Sequence, residues 1–151
     1  MKAAASRLLV LGLSAVLALS CNNPTGGSGS VTLVVQTDKS TYSLTLDTAA
    51  QTLLINRGSV RVYAPMNEYV AVQRFQDGVW GAAQPWFTVD GAGISFPIMP
   101  GDTLRALPMD FAYVGDAPGR YRFVFQIARD SLGHEILAED QRVSPSFELQ
   151  P

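Results

Sequence analysis

The sequence is poor in the residues that build most metal sites and covalent cross-links. Its 151 residues include one cysteine and one histidine. A single cysteine cannot form a disulfide within the chain, and zinc sites typically need three or four His, Cys or carboxylate ligands. We therefore interpret His134 as a solvated turn residue, the alternative being a metal or acid–base pair with Glu135. No metal and no cofactor is expected.

Clustered charge and catalytic motifs are also scarce. The formal net charge is −2, and charged residues of both signs are scattered singly. This pattern argues against a nucleic-acid partner, which requires a clustered basic face. The Gly-Ser segment at residues 26–29 has no strand or helix around it, so it does not predict a nucleophile elbow. Glu139 and Asp140 lack the spaced loop of a calcium site. These absences predict a protein that is not an enzyme, with an unrecognised glycan hydrolase as the less favoured alternative.

Amphipathic helical patterns of useful length are missing as well, and two-residue periodicity dominates instead. The clearest strand places Tyr121, Phe123, Phe125 and Ile127 on one face. Hairpin signatures occur at residues 56–59 and at Asp77-Gly78. Further strands are predicted at residues 31–36, 42–46, 52–55, 60–63, 69–75, 79–80, 86–89, 94–98, 103–107 and 143–149, with a loop or single helical turn at 135–142. Many short strands with closely spaced turns predict an all-β sandwich or barrel.

The N-terminal apolar segment is too short to span a membrane comfortably. Lys2 and Arg7 introduce an apolar run at residues 8–19, whereas a spanning helix needs about 20 apolar residues and a signal h-region about 7–15. The run ends in Leu-Ser-Cys21, which resembles a lipobox, where the thiol is acylated and the chain is cut before it. The resemblance implies a lipoprotein signal peptide at residues 1–20. A plain secretory signal and an uncleaved anchor are the alternatives.

Removal of that signal leaves 131 residues with a net charge of −4, enough for one domain. Residues 21–30 comprise the acylated Cys21 and a Gly/Ser/Asn-rich flexible linker, and residues 31–151 form the domain. The chain has no polybasic patch, so membrane contact is expected through the lipid on Cys21 alone. The expected location is that of an exported, bacterial membrane-anchored lipoprotein, at the outer membrane or the periplasmic face.

Residues 119–123, Gly-Arg-Tyr-Arg-Phe, resemble the tyrosine corner of immunoglobulin-like domains. The order of segments 60–64, 72–80, 99–103, 118–125 and 142–149 is similar to that of a bacterial Ig-like domain of exported lipoproteins. It also resembles the BsuPI-type proteinase-inhibitor sandwich. The first resemblance implies an immunoglobulin-like antiparallel β-sandwich with Gly119 and Tyr121 as structural residues, and a non-catalytic binding or structural role. The second implies a proteinase inhibitor.

One segment, residues 79–87, concentrates aromatic residues that could contact a partner. The favoured interpretation is that Trp80 or Trp86 fills the sandwich core. The alternative is surface recognition, because exposed tryptophans stack on sugar rings or anchor partner proteins, and an envelope protein or a glycan would then be the partner. The candidate binding residues are Arg74, Trp80, Gln84, Trp86 and Phe87.

Overall fold

A computed structural model of the chain describes residues 29–65, 70–85, 95–113 and 117–151. The predicted signal peptide, Cys21, Trp86 and Phe87 lie outside these ranges. Two short 3₁₀ turns, at Phe111–Tyr113 and Glu139–Gln141, are the helical elements of the described residues. The strands of these ranges, in chain order, are β1 Leu33–Thr37, β2 Thr41–Ser43, β3 Ala49–Ala50, β4 Thr52–Asn56, β5 Val62–Pro65, β6 Val70–Gln76, β7 Val79–Trp80, β8 Gln84–Pro85, β9 Ser95–Ile98, β10 Thr103–Arg105, β11 Met109–Asp110, β12 Gly119–Phe125 and β13 Phe147–Gln150.

The strands form two larger sheets and two strand pairs. One sheet has the order β1-β4-β10, and the other has the order β2-β13-β12-β6-β7, with β8 also paired to β6. The pairs are β3 with β11 and β5 with β9. Among the described strands, β2 and β13 run parallel and the other pairings are antiparallel. The predicted all-β, sandwich-like class is therefore confirmed.

The core is built around aromatic rings, as the alternation in β12 predicts. Tyr121, Phe123 and Phe125 are all buried. Phe147 contacts the rings of Tyr121 and Phe123 at centroid distances of 6.1 and 4.7 Å, and it meets Tyr42 edge-on at 5.4 Å. Aromatic pairs of this kind add stabilisation beyond the area they bury. They fill a core that has no cross-link.

The predicted strand at residues 42–46 is wrong in its second half. β2 ends at Ser43, and Leu46 is 85% exposed instead of sharing a buried face with Tyr42. The Asp47 side chain accepts the Ser43 N–H at 2.9 Å, and the Asp47 N–H donates to the Ser43 carbonyl at 2.7 Å. This local capture of backbone groups turns the chain, which the alternation of Tyr42, Leu44 and Leu46 did not reveal.

The hairpin predicted at residues 56–59 is also wrong, because β4 pairs with β1 and β10 while β5 pairs with β9. The side chain of Asn56, fully buried, donates to the carbonyls of Val60 and Ile98 at 2.8 and 2.9 Å and accepts the Gly58 N–H at 3.0 Å. These bonds turn the chain out of the β1-β4-β10 sheet after β4, and the next strand, β5, pairs with β9. The second hairpin is confirmed: Asp77 and Gly78 have φ values of 50° and 85°, which suit a two-residue turn between β6 and β7.

Candidate functional site

The outer face of the larger sheet carries a row of arginine and aromatic side chains. Cross-strand pairing places Arg120 opposite Phe75, Arg122 opposite Gln73, and Phe75 opposite Trp80. Because side chains alternate along a strand, these residues share the face opposite to buried Tyr121 and Phe123. The arginine–aromatic face is defined by Gln73, Phe75, Trp80, Arg120, Arg122 and Glu139.

Trp80 is the centre of this face. The guanidinium carbon of Arg122 lies 4.5 Å from the Trp80 ring centroid, and that of Arg120 lies 5.7 Å from it. Arg120 is also 5.1 Å from the Phe75 ring, which meets Trp80 edge-on at 5.1 Å. All of these separations fall within the range of about 6 Å in which cation–π attraction operates. The rings and guanidinium groups therefore hold one another in place.

Hydrogen bonds fix Arg122 further. Its Nε donates to Oε1 of Gln73 at 2.7 Å, and its Nη2 donates to Oε1 of Glu139 at 2.6 Å. The Arg122 side chain is 18% exposed and the Glu139 side chain 50%. Gln73 is buried, so this bond satisfies an acceptor that would otherwise lack water. Arg122 is consequently preorganised by charged, polar and aromatic contacts together.

Arg120 is the more available of the two cations. It is exposed, and its Nη2 donates to the Ser146 hydroxyl at 2.9 Å. Its cross-strand neighbour on β13 is Glu148, also exposed. The face thus offers donors and acceptors beside half-buried aromatic rings. Such a surface can bind a partner by stacking and hydrogen bonding, and it contains no nucleophile with an adjacent base.

Of the predicted binding residues that the structure describes, Trp80 alone lies on the arginine–aromatic face. Trp80 is half-buried on the arginine–aromatic face and is not among the buried core residues. Arg74 pairs with Tyr121 across the strands, so it lies on the opposite face. Gln84 is exposed in β8, opposite Val72. The favoured interpretation, in which Trp80 fills the core, is therefore wrong for this residue.

Sequence reasoning missed five residues of the face: Gln73, Phe75, Arg120, Arg122 and Glu139. For Arg120 and Arg122 the sequence did contain a signal, because they alternate with Tyr121 along β12. Gln73 and Glu139 come from β6 and from a 3₁₀ turn, so only strand pairing and the fold bring them to Arg122.

The predicted tyrosine-corner residues form a compact cluster on the other side of β12. The Tyr121 hydroxyl donates to the Ala117 carbonyl, four residues upstream, at 2.7 Å. Burial raises the pKa of Tyr121, while the nearby Arg74 partly opposes this. Nη2 of Arg74 donates to the Pro118 carbonyl at 2.9 Å, and its guanidinium carbon lies 5.7 Å from the Tyr121 ring. Gly119 has φ of 154°, and a Cβ there would lie 3.1 Å from Nε of Arg74.

Other polar features of the described residues are less developed. His134 is exposed. No group of three or more His, Cys, Asp or Glu side chains comes together in residues 29–65, 70–85, 95–113 and 117–151. An open groove of about 420 Å³ lies on the smaller sheet, lined by Gln36, Thr37, Asp38, Gln51, Leu53 and Arg105. In the part of the chain that the structure describes, no helix is long and apolar enough to cross a membrane.

Comparison with known proteins adds no family to this description. No protein-family model matches the chain, and no curated protein matches it. Inferences about its function therefore rest on the residues and contacts described above.

Proposed function

We propose that this protein is a non-catalytic, lipid-anchored module of the cell envelope that binds an envelope protein or glycan through its arginine–aromatic face. The observation that carries the proposal is the clamping of Trp80 by Arg122, which Gln73 and Glu139 hold by hydrogen bonds.

The composition and rigidity of the face support a binding role. Tryptophan, tyrosine and arginine are enriched among residues that dominate binding energy at protein interfaces. Ordering a long side chain on binding costs about 0.5–1.5 kcal/mol, and Arg122 has already lost much of that freedom. A surface that is ordered in advance loses less entropy when a partner docks. An aromatic ring flanked by planar polar groups also suits a sugar ring, which stacks and hydrogen-bonds at once.

We also propose that the domain is immunoglobulin-like, and the strand order supports this. In immunoglobulin sandwiches, strands A, B and E share one sheet and strands C, F and G share the other. Here β1, β4 and β10 share one sheet, while β6, β12 and β13 are adjacent in the other. The bond from Tyr121 to Ala117 is of the type made by a tyrosine corner.

The export and anchoring parts of the proposal rest on the sequence around Cys21. A lipid on Cys21 would hold the domain at the membrane surface, with the Gly/Ser-rich residues 22–30 as a tether. The tether would let the domain turn its face toward a partner in the same envelope.

Proximity crosslinking in living cells tests the proposal. Wild type, Trp80→Ala and Cys21→Ser are compared, with captured proteins and glycans identified by mass spectrometry. Val79→Ala is the matched control, because Val79 is a neighbouring exposed residue on the same strand, 65% accessible. The expected result is one reproducible partner that is lost in Trp80→Ala and in Cys21→Ser and retained in Val79→Ala. Equal capture by Trp80→Ala and wild type would refute the role of the face, and an unaltered membrane fraction in Cys21→Ser would refute the anchor.

A second candidate function, proteinase inhibition, is favoured by one exposed loop. The Asp130 side chain accepts the N–H groups of Leu132 and Glu135 at 2.8 and 2.6 Å. The hydrogen bond from the Glu135 N–H is the largest of the effects that hold the pKa of Asp130 below its usual range. The braced loop presents Leu132, which is 73% exposed. A rigid loop with a protruding side chain is what a protease inhibitor offers to a protease.

A protease panel at about 10 μM protein tests this candidate, since useful inhibitors bind more tightly than that concentration. Inhibition that is lost in Leu132→Ala and kept in Leu107→Ala would support it, because Leu107 is similarly exposed at 69% but lies elsewhere. Absence of inhibition across serine, cysteine and metalloproteases would eliminate it.

A further inference from the structure

Strand β1 lies at the edge of the smaller sheet, and its hydrogen-bonding pattern leaves one side open. The Arg57 N–H donates to the Thr32 carbonyl, and the Asp38 N–H donates to the Gln51 carbonyl, which fixes the alternation of the ladder with β4. Bonded pairs alternate along an antiparallel ladder, so the even-numbered residues of β1 face β4. The N–H and C=O groups of Leu33, Val35 and Thr37 therefore point away from the sheet. Within the described ranges, no strand pairs with this side of β1.

The opposite edge of the same sheet is protected by charge and proline. The Asn56 N–H donates to the Asp102 carbonyl, and the Ala106 N–H donates to the Thr52 carbonyl, so the even-numbered residues of β10 face β4. Within β10, the backbone groups of Thr103 and Arg105 alone point outward. Charged residues and prolines at an edge strand disfavour its pairing with another strand, and here Arg105 is followed three residues later by Pro108.

The β2 edge of the larger sheet is closed by a local turn. The outward N–H of Ser43 is taken by the Asp47 carboxylate, and the Ser43 carbonyl accepts the N–H groups of Leu46 and Asp47. The β7 end of that sheet is only two residues long. By comparison, β1 presents five residues, Leu-Val-Val-Gln-Thr, without a charge, a proline or a capping side chain.

We propose that β1 pairs with β1 of a second copy of this chain, antiparallel and centred on Val35, so that two three-stranded sheets join into one. In this register Val35 faces itself, and Leu33 faces Thr37 of the other copy. The three outward-facing positions of one copy then meet the three of the other, and each facing pair exchanges two hydrogen bonds.

The charges near β1 also permit this register. Asp38 faces Thr32 of the second copy, and Lys39 faces Val31, so no like charges are opposed. The side chains do not obstruct the approach, because Leu33 and Val35 are buried in the core of their own domain. The contact is isologous, as expected for a two-fold dimer. It buries little beyond one strand edge, so the dimer is weak in dilute solution and forms best where copies are concentrated.

Disulfide trapping in cells tests the register directly. Val34 and Gln36 of the two copies form non-hydrogen-bonded pairs, with Cα atoms about 4.5 Å apart, within disulfide range. The full chain carrying both Val34→Cys and Gln36→Cys is compared with each single variant and with wild type, which controls for Cys21. The double variant is expected to give at least about tenfold more reducible dimer than either single variant, whose introduced cysteines lie too far apart to bridge.

Thr37→Pro in the double-cysteine chain provides the second arm. The Thr37 N–H points outward, so proline removes an intermolecular donor without breaking the ladder with β4. Thr103→Pro removes an outward N–H from the β10 edge and is the matched control. Loss of the dimer in Thr37→Pro alone is expected. Equal trapping by single and double variants, or no dimer in the double variant, would overturn the proposal, as would a dimer insensitive to Thr37→Pro.

Discussion

Replacing Arg122 with alanine is expected to lower the free energy of unfolding by about 3 kcal/mol. The contact with Trp80 at 4.5 Å is partly desolvated, so its loss costs about 1 kcal/mol. The buried Gln73 carbonyl loses a charged donor, which costs about 2 kcal/mol. The ion pair with Glu139 is half exposed and contributes no more than about 0.5 kcal/mol. The cation–π and amide contacts, not the salt bridge, should therefore dominate.

Double-mutant cycles separate the Trp80 contribution from the Glu139 contribution. Urea denaturation is measured for Arg122→Ala, Trp80→Ala and Glu139→Ala, and for the two pairs that include Arg122. The coupling free energy is expected to be about 1 kcal/mol with Trp80 and about 0.3 kcal/mol with Glu139. Arg129→Ala, at an exposed arginine without side-chain partners in the described residues, is the control and should change stability by less than about 0.5 kcal/mol. A larger coupling with Glu139 than with Trp80 would refute this reasoning.

Three other changes test the core and its polar groups. Asn56→Ala removes the three hydrogen bonds of a buried side chain and should cost about 3–5 kcal/mol in urea denaturation. Arg57→Ala at the exposed neighbour should be nearly neutral, and equal effects would contradict the role of the Asn56 amide. Burial and the hydrogen bond to Asp38 raise the pKa of Tyr42, so the folded state retains a proton that the unfolded state loses above about pH 10, and stability should fall as pH rises through that region. Tyr42→Phe should show a smaller alkaline loss in the thermal midpoint between pH 8 and pH 11, and an unchanged loss would exclude Tyr42 as its source. Tyr121→Ala should destabilise by about 3–5 kcal/mol and Tyr121→Phe by only about 1 kcal/mol, and an unchanged denaturation midpoint in Tyr121→Ala would contradict the tyrosine-corner prediction.

Local patterns predicted the strand in which buried aromatic residues alternate most regularly. Tyr121, Phe123 and Phe125 of β12 are buried as predicted, although Val124 between the last two is buried as well. The Asp77-Gly78 turn has a strong local preference and was also predicted correctly. Residues 135–142 were expected to form a loop or a single helical turn, and the structure has a 3₁₀ turn there at Glu139–Gln141. Predictions failed where a side chain competes for backbone groups, as Asp47 does at the end of β2 and Asn56 does at the end of β4. Such capture depends on geometry that an alternation pattern does not contain.

The candidate site was predicted only in part for a related reason. Trp80 and its short strand were recognised, and the alternation of Tyr121 and Phe123 leaves Arg122 on the opposite face of β12. The partnership between them requires the pairing of β12 with β6 and of β6 with β7, which hydrophobic periodicity does not specify. Arg74, chosen for its closeness in sequence to Trp80, differs from Phe75 by one position and therefore lies on the other face.

The sequence by itself determined that the domain is all-β, that its core would be aromatic and not cross-linked, and that Cys21 is a candidate for lipidation. These conclusions depend on composition and on short-range alternation, which neighbouring residues define. Only the tertiary structure decided which strands are adjacent, that Arg122 stacks on Trp80, and that one side of β1 has no partner strand within the described residues. Each of these depends on strand pairing between residues far apart in the chain, and a shift of one residue in register would reverse the face of every side chain involved.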